Sequence, residues 1–307
     1  MIRTYLCLTR KPLVAALLIG FAMNVQADPL TVYGKLNVSA QASDEGAGSF
    51  SELKSNASRF GVKGDTALDN SLTLIYQLEW EVDPSDEANE KNIKARDQFV
   101  GLKGSFGTIK AGRSDSSLKT AQGKIDLFND YEADLKVLWK GENRLNNSLT
   151  YISPSFNDFT VSFSHIMEDT PEGVDGQSIA LMYGDEALKD SKLFASVALD
   201  NDVSGYDSLR LLAQYKISGV KVGAGVHQQE SITTAVKDDG WLANVAYPMD
   251  KYEFKVQYQT LEDDNGVSAG VDYKLSKETK LFAWYSSFDF LNKLDTSYLA
   301  FGLEHKF

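Results

Sequence analysis

The chain has 307 residues, 31 basic and 43 acidic, and a formal net charge of −12. So acidic a chain is a poor partner for nucleic acid, whose binding rests on neutralising phosphates. Its single cysteine, Cys7, excludes disulfides and thiolate metal sites.

The N-terminus reads as a secretory signal. Arg3, Arg10 and Lys11 form a positive region, Leu13 to Met23 an apolar run, and Val25-Gln26-Ala27 a small-residue cleavage site. The expected organisation is a signal peptide over 1–27 and a single domain over 28–307, with the mature chain starting at Asp28. A lipoprotein is not expected, because Cys7 precedes the apolar run instead of following it. Removal of the signal leaves 28 basic against 43 acidic residues, a net charge of −15. Nothing after Ala27 is apolar for long enough to span a bilayer as a helix.

Strand patterns follow one another from there. They cover Leu30–Ala42, Glu52–Gly64, Leu72–Val82, Gln98–Gly104 and Gly107–Gly112. After a gap come Ser148–Ser153, Phe159–Met167, Gln177–Gly184, Lys192–Leu199, Ser208–Ile217 and Val220–His227. Gly240–Tyr247, Lys251–Leu261, Val267–Leu275, Lys280–Ser287 and Ser297–Phe307 complete sixteen. Alternation is regular: Tyr252, Phe254, Val256 and Tyr258 take one parity, and Lys251, Glu253, Lys255 and Gln257 the other.

Parity alone does not say which face is inside, but three further patterns favour a membrane barrel. Pro84, Pro154, Pro171 and Pro248 all fall between the predicted strands, as a complete ladder demands. Connections alternate between long (VDPSDEANEK, MEDTPEGVDG, LDNDVSGYD, LEDDNG) and short (GSFG, ISG, YPMD, LSKE). Acidic residues crowd the long connections, whereas the polar strand faces carry Lys35, Arg59, Lys192, Arg210, Lys221, Lys255 and Lys306. The expected fold is all-β, a 16-stranded antiparallel transmembrane barrel whose polar faces line water. Inward Met182 and Leu212 fit this poorly.

Arg113 to Arg144 breaks the strand rhythm. Phe128, Tyr131, Leu135 and Leu138 recur at three- and four-residue spacing, which predicts a short helix. So long an interruption is functional or disordered, and its aromatic content argues for function. It is expected to fold into the barrel and narrow it, pinned by Phe128, Tyr131, Leu135 and Trp139.

The pieces VYGK (Val32–Lys35), SRFGVKG (Ser58–Gly64), QFVGLKGSFGTIKAGR (Gln98–Arg113), RLNNSLTYISP (Arg144–Pro154), VDYKLSKET (Val271–Thr279) and the terminal LAFGLEHKF stand in that order. Together they resemble the general porins of Gram-negative bacteria over the whole mature chain. The resemblance implies an outer-membrane homotrimer with water-filled channels for ions and small hydrophilic solutes. It implies a third outer loop, in the lumen, whose acids face a basic wall. Carried over by position, the wall residues are Lys35, Arg59, Arg113 and Arg144. The facing acids are among Asp126, Asp130, Glu132 and Asp134, where NDYEAD stands in place of the PEFGG-like string of enterobacterial members. Phe307 resembles the terminal aromatic read by the outer-membrane assembly machinery.

No cofactor is expected. Carboxylates in the outer loops, Asp83, Asp86, Glu87, Asp263 and Asp264 among them, could hold Ca2+ or Mg2+ and bridge to lipopolysaccharide phosphates. No HExxH, GxSxG or phosphate-loop spacing occurs, and His165, His227 and His305 stand alone, so an enzyme is not expected. The alternative is a solute-specific porin of the same fold, selective for sugars or anions, with Tyr33, Phe99 and Trp284 available for stacking.

Overall fold

The computed structural model describes residues 30–85 and 92–307. The expected signal peptide lies outside them, as do Asp86 and Glu87. Seventeen strand segments form one closed antiparallel barrel. In chain order they are β1 (Thr31–Asp44), β2 (Ser49–Ser55), β3 (Arg59–Ala67), β4 (Thr73–Val82), β5 (Ile93–Gly104) and β6 (Gly107–Asp115). After the long segment come β7 (Arg144–Ile152), β8 (Phe159–Ile166), β9 (Gly176–Tyr183), β10 (Leu193–Val203), β11 (Tyr206–Ile217) and β12 (Val220–Ser231). The last are β13 (Lys237–Met249), β14 (Tyr252–Leu261), β15 (Asp264–Lys274), β16 (Thr279–Asp289) and β17 (Thr296–Lys306). Since β2 and β3 both pair with β1, they are two halves of one strand, and the barrel has sixteen. Each of the sixteen sequence patterns falls on one of these strands.

Closure runs through β1 and β17, from Lys35 opposite Lys306 to Asp44 opposite Ser297. The Gly34 amide donates to the Phe307 carbonyl (2.9 Å) and the Phe307 amide to the Gly34 carbonyl (3.1 Å). Gly34 is required here. A Cβ at that position would stand 2.6 Å from the Phe307 ring and 2.5 Å from the Arg59 carbonyl oxygen. A closed ladder leaves no strand edge unpaired, which is the condition for β-structure in hydrocarbon.

The apolar parity faces outward. Val256, Phe254, Leu299 and Phe301 are exposed, while Asn37, Gln41, Gln257 and Ser268 on the opposite parity are buried. This inverts a soluble sandwich, where apolar side chains fill the inside. Polar faces buried in a sixteen-stranded barrel need something within, and the long segment between β6 and β7 supplies it.

Three expectations about the connections need correction. Pro248 lies inside β13, next to its end, where a missing N–H costs least. The connections expected to be long at 199–207 and 261–266 shrink to Ser204–Gly205 and Glu262–Asp263, because the strands run on through the acidic residues. Conversely the turn between β9 and β10, on the side of the chain termini, spans nine residues, Gly184–Lys192.

The two faces should respond differently to charge. Val256→Arg, at mid-strand on the outer face, is expected to cost about 2–4 kcal/mol if it lies near the bilayer centre. Gln77→Arg, at a half-buried inward position of β4 opposite Lys63 and Phe99, should be better tolerated. Urea titrations of folding into lipid vesicles measure both, and equal losses would contradict the assignment of faces.

Candidate functional site: the charged section of the lumen

Residues 116–143 contact the inward faces of β8–β17. They open with a short helix, α1 (Ser117–Ala121), capped by Ser116, whose Oγ accepts from the Lys119 amide (3.1 Å). Leu118 and Ala121 pack on the inward Ala180 and Ala198, with Met182 beside them. Ser196 Oγ donates to the Ala121 carbonyl (2.7 Å). Ile125, Leu135, Leu138 and Trp139 pack on Leu212, Leu242 and Phe288. Phe128 and Tyr131 pack on Phe282, Trp284 and Tyr298. Inward apolar residues are thus the footprint of the segment on the wall, which accounts for Met182 and Leu212.

The expected helix over Phe128–Leu138 is absent; only a 3-10 turn forms, at Leu135–Val137. The four spaced apolar side chains are nonetheless all buried. They are knobs on successive turns: the Tyr131, Asp134 and Leu138 amides donate to the Phe128, Tyr131 and Leu135 carbonyls three residues back, and wall polar groups pair the backbone on either side of that stretch. Asn244 Nδ2 donates to the Ile125 carbonyl (2.6 Å), and Gln257 Oε1 accepts from the Leu127 amide (3.0 Å). Gln229 Oε1 accepts from the Lys140 amide (2.8 Å), and Trp139 Nε1 donates to the Thr260 carbonyl (2.7 Å). Arg210, fully buried, donates to Gln122, Glu142 and the Lys140 carbonyl (2.6–2.7 Å).

The four acids divide into two pairs. Asp130 is the meeting point of Lys35 Nζ and Arg59 Nη2, both at 2.8 Å. Glu132 pairs with Lys54 at 2.6 Å. Asp126 and Asp134 turn inward instead and hold the segment's own backbone. Asp126 accepts from the Phe128 and Leu135 amides and from Gln257 Nε2, all at 2.9 Å. Asp134 accepts from the Asp130 (3.0 Å) and Lys136 (2.9 Å) amides. Burial opposes ionisation of Asp130, but Lys35 and Arg59 outweigh it and hold the carboxyl well below the usual range. Burial, and then Asp134, push Asp126 the other way, above its usual range.

Strand irregularities build the facing wall. Lys54 and Arg59 are five residues apart, and an unbroken strand would send them to opposite faces. The break at 56–58 prevents that, with Ala57 at φ +51°. Asn56 Nδ2 donates to Ser39 Oγ (3.0 Å) and Ser58 Oγ accepts from the Asn37 amide (2.9 Å), replacing the ladder there. The register shifts again between Leu78 and Trp80, so that Arg96 and Asp97 both oppose Glu79. Arg96 binds Glu79 and Glu81, each at 2.7 Å. Arg144 binds Asp97 (2.7 Å) and Asp115 (2.9 Å).

Arg113 does not join this wall. It pairs in register with Gln98, of the outward parity, and donates to the Ala95 carbonyl (3.2 Å) and Asn146 Oδ1 (2.6 Å). Its neighbour Gly112 faces inward, and the irregularity beyond it does not return Arg113 to the lumen. Arg96 occupies the lumen instead. The sequence pattern started that strand at Gln98 and so missed it, although KARD extends the run toward Ile93.

Wall and segment enclose a cavity of about 590 Å3, lined by Arg59, Arg96, Arg144, Asp130 and Glu132 among others. Of the outer-loop carboxylates, Asp83 accepts from Ser85 and Asp264 from the Leu291 amide. Among the described residues no three His, Cys, Asp or Glu side chains come together as a metal site.

The sequence profile described as Gram-negative porin matches residues 14–293, and the chain belongs to that family. It is similar to the major outer membrane protein P.IB of Neisseria lactamica, at 25% identity over 97% of this chain and 100% of the relative. Its likeness to the Neisseria sicca protein of that name is 30%, over 52% of this chain and 48% of the relative. Among solved structures, the anion-selective porin from Comamonas acidovorans superposes with a TM-score of 0.75 at 19% identity, covering 91% of this chain and 100% of that one. The Salmonella typhi OmpF complex with daunomycin gives 0.70 at 16%, covering 91% and 98%. The trimer form of OmpT from Vibrio cholerae gives 0.68 at 14%, covering 92% and 100%. The chain is an outer-membrane porin of the sixteen-stranded barrel class.

Asp130 also sets a pH dependence. Its folded carboxyl lies below the unfolded value, so its contribution to docking is complete above the usual carboxylate range, about pH 4, and is lost as pH falls further. The destabilisation caused by Asp130→Asn should therefore be largest near pH 7 and shrink below about pH 4. Thermal unfolding of both proteins across pH tests this; a constant difference would break the link to Lys35 and Arg59.

Proposed function

We propose that the chain is a homotrimeric general diffusion porin. Its narrowest charged section is formed by Asp130 and Glu132 of the inner segment facing Lys35, Lys54, Arg59, Arg96 and Arg144. The observation that carries this is Asp130 held between Lys35 and Arg59. It draws a carboxylate of the loop onto the basic wall. Opposite charges across a narrow aqueous gap order water and dipolar solutes and disfavour apolar ones.

The wall is mixed, not purely basic. Arg96 and Arg144 are each bracketed by two wall carboxylates, while Lys35 and Arg59 converge on Asp130, with Glu304 a further 3.7 Å neighbour of Lys35. This favours passage of both ion signs over strong preference for either. The name of the Comamonas relative makes anion selectivity the second reading, and the convergence of Lys35 and Arg59 is the feature here that would support it. An aromatic slide for sugars is less well supported. Trp284 is covered by Tyr131 (ring centroids 5.6 Å apart), and Tyr33 donates to Glu79 (2.9 Å).

Reversal potentials in planar bilayers under a salt gradient test the assignment. Arg59→Ser and Arg96→Ser should each shift selectivity toward cations, whereas Arg113→Ser should leave it unchanged. An equal shift from Arg113→Ser, or none from Arg59→Ser, would overturn it. Trimers should insert as units that close in three equal steps.

A further inference from the structure

The turn Gly184–Lys192 enters at the barrel end opposite to the one from which residues 116–143 enter. It is organised by Asp185, whose carboxylate accepts from the Ala187 (2.9 Å), Lys189 (2.6 Å) and Asp190 (3.1 Å) amides. It does not simply cap a hairpin in solvent. Leu188, at its tip, is 1% exposed, and its carbonyl accepts from Nζ of the inward Lys216 (3.0 Å). Glu186 stands 3.6 Å from Lys124 of the inner segment. At Gly123 (φ +58°) an added Cβ would meet Glu186 Cβ at 3.0 Å and the Phe194 ring at 2.9 Å. Phe194 faces inward and is buried. Ile125 reaches the neighbourhood of Gly223, near the start of β12 at the same end.

We propose that this turn is a floor on which the inner segment rests, and that it determines specificity by closing the lumen beside β9–β12. With α1 packed on Ala180 and Ala198 above, and Phe194 and the turn below, that side is filled along its depth. Solute is left the charged wall from β1 through β7. Glu186 and Leu188 are positioning residues: they touch no solute but fix Gly123–Lys124, from which the chain runs on to the tip that carries Asp130. The floor holds the segment by shape more than by charge, since Lys124 and Glu186 are both well exposed and such a pair is weak.

The consequence for conduction rests on the channel reading above; the contact itself does not. Two measurements separate them. In a Cys7→Ser background, Leu188→Cys should react with a charged methanethiosulfonate reagent at least tenfold more slowly than Leu291→Cys, which replaces an exposed residue. Adding Gly123→Ala, which drives a Cβ into Glu186 and Phe194, should raise the Leu188→Cys rate several-fold in barrels that remain heat-modifiable. Equal reactivity of the two cysteines would overturn the floor, whether or not the protein conducts. Second, deletion of residues 186–190 should raise single-channel conductance and open-channel noise. Folded deletion trimers with unchanged conductance and noise would overturn the turn's part in setting the path. If the deletion variant does not fold, the same conductance readout on Gly123→Ala decides.

Discussion

Burial of an apolar underside against an apolar stripe of the inner wall is the interaction on which the rest depends. A sixteen-stranded barrel lined by serine, glutamine, lysine and aspartate has no core of its own. Phe128, Tyr131, Leu135 and Trp139 supply one by packing on Leu212, Leu242, Phe282 and Trp284. Complete burial of a large apolar side chain is worth about 1.5–3 kcal/mol. Closing a long connection costs an entropy that rises only slowly with length, but ordering its backbone costs about 1–2 kcal/mol per residue, so these side chains act together with the segment's hydrogen bonds and ion pairs. Local turns and the Asp126 and Asp134 side chains pair the backbone between the knobs, and polar wall groups pair it on either side, so the segment has one position and not many. The tip charges inherit that position.

Given the position, the electrostatics follow. Lys255 Nζ lies 5.1 Å over the Phe128 ring and 3.0 Å from Asp272, and Lys280 binds the same carboxylate at 2.9 Å. These groups sit behind the tip and anchor its aromatic side. Asp130 and Glu132 project from the other side toward Lys35, Arg59 and Lys54. The chain thus separates its acids by task within nine residues. Asp126 and Asp134 fix the backbone of the turn and Asp130 and Glu132 meet the wall.

The strands were legible in the sequence because one face meets hydrocarbon and the other does not. That constraint writes a period of two at every strand, and all sixteen emerged from it. The place of the inner segment was legible too, as a gap in that period with aromatic content. What remained hidden was local. The spacing of Phe128, Tyr131, Leu135 and Leu138 is that of a helix face, yet any run of tight turns that buries alternate corners produces it. Strand ends at 199–207 and 261–266 were hidden because the residues there are acidic, and composition argues for loop where hydrogen bonding continues the ladder. Arg113 came to the wall by resemblance, against the outward parity it shares with Ile109 and Ala111, whereas Arg96 was hidden by an irregularity. Lumen-facing parity holds only between irregularities, and no pattern in the sequence marks the shift between Leu78 and Trp80.

Those irregularities are where charges close together on one strand enter the lumen side by side. In a regular strand one inward residue appears every second position, so two charges beside each other on one strand face opposite ways. The break at 56–58 brings Lys54 and Arg59 to the same side, and the shift opposite Glu79 does so for Arg96 and Asp97. The resulting band is denser in charge than the period of two allows, and each member has an opposite neighbour within hydrogen-bond reach. Pairing at 2.6–2.9 Å is far inside the Debye length of about 8 Å at physiological salt. Salt in the channel therefore screens the acidic loop ends, which act at a distance, more than it screens the paired band. Under the constriction proposed above, the band is the part of the charge distribution that salt alters least.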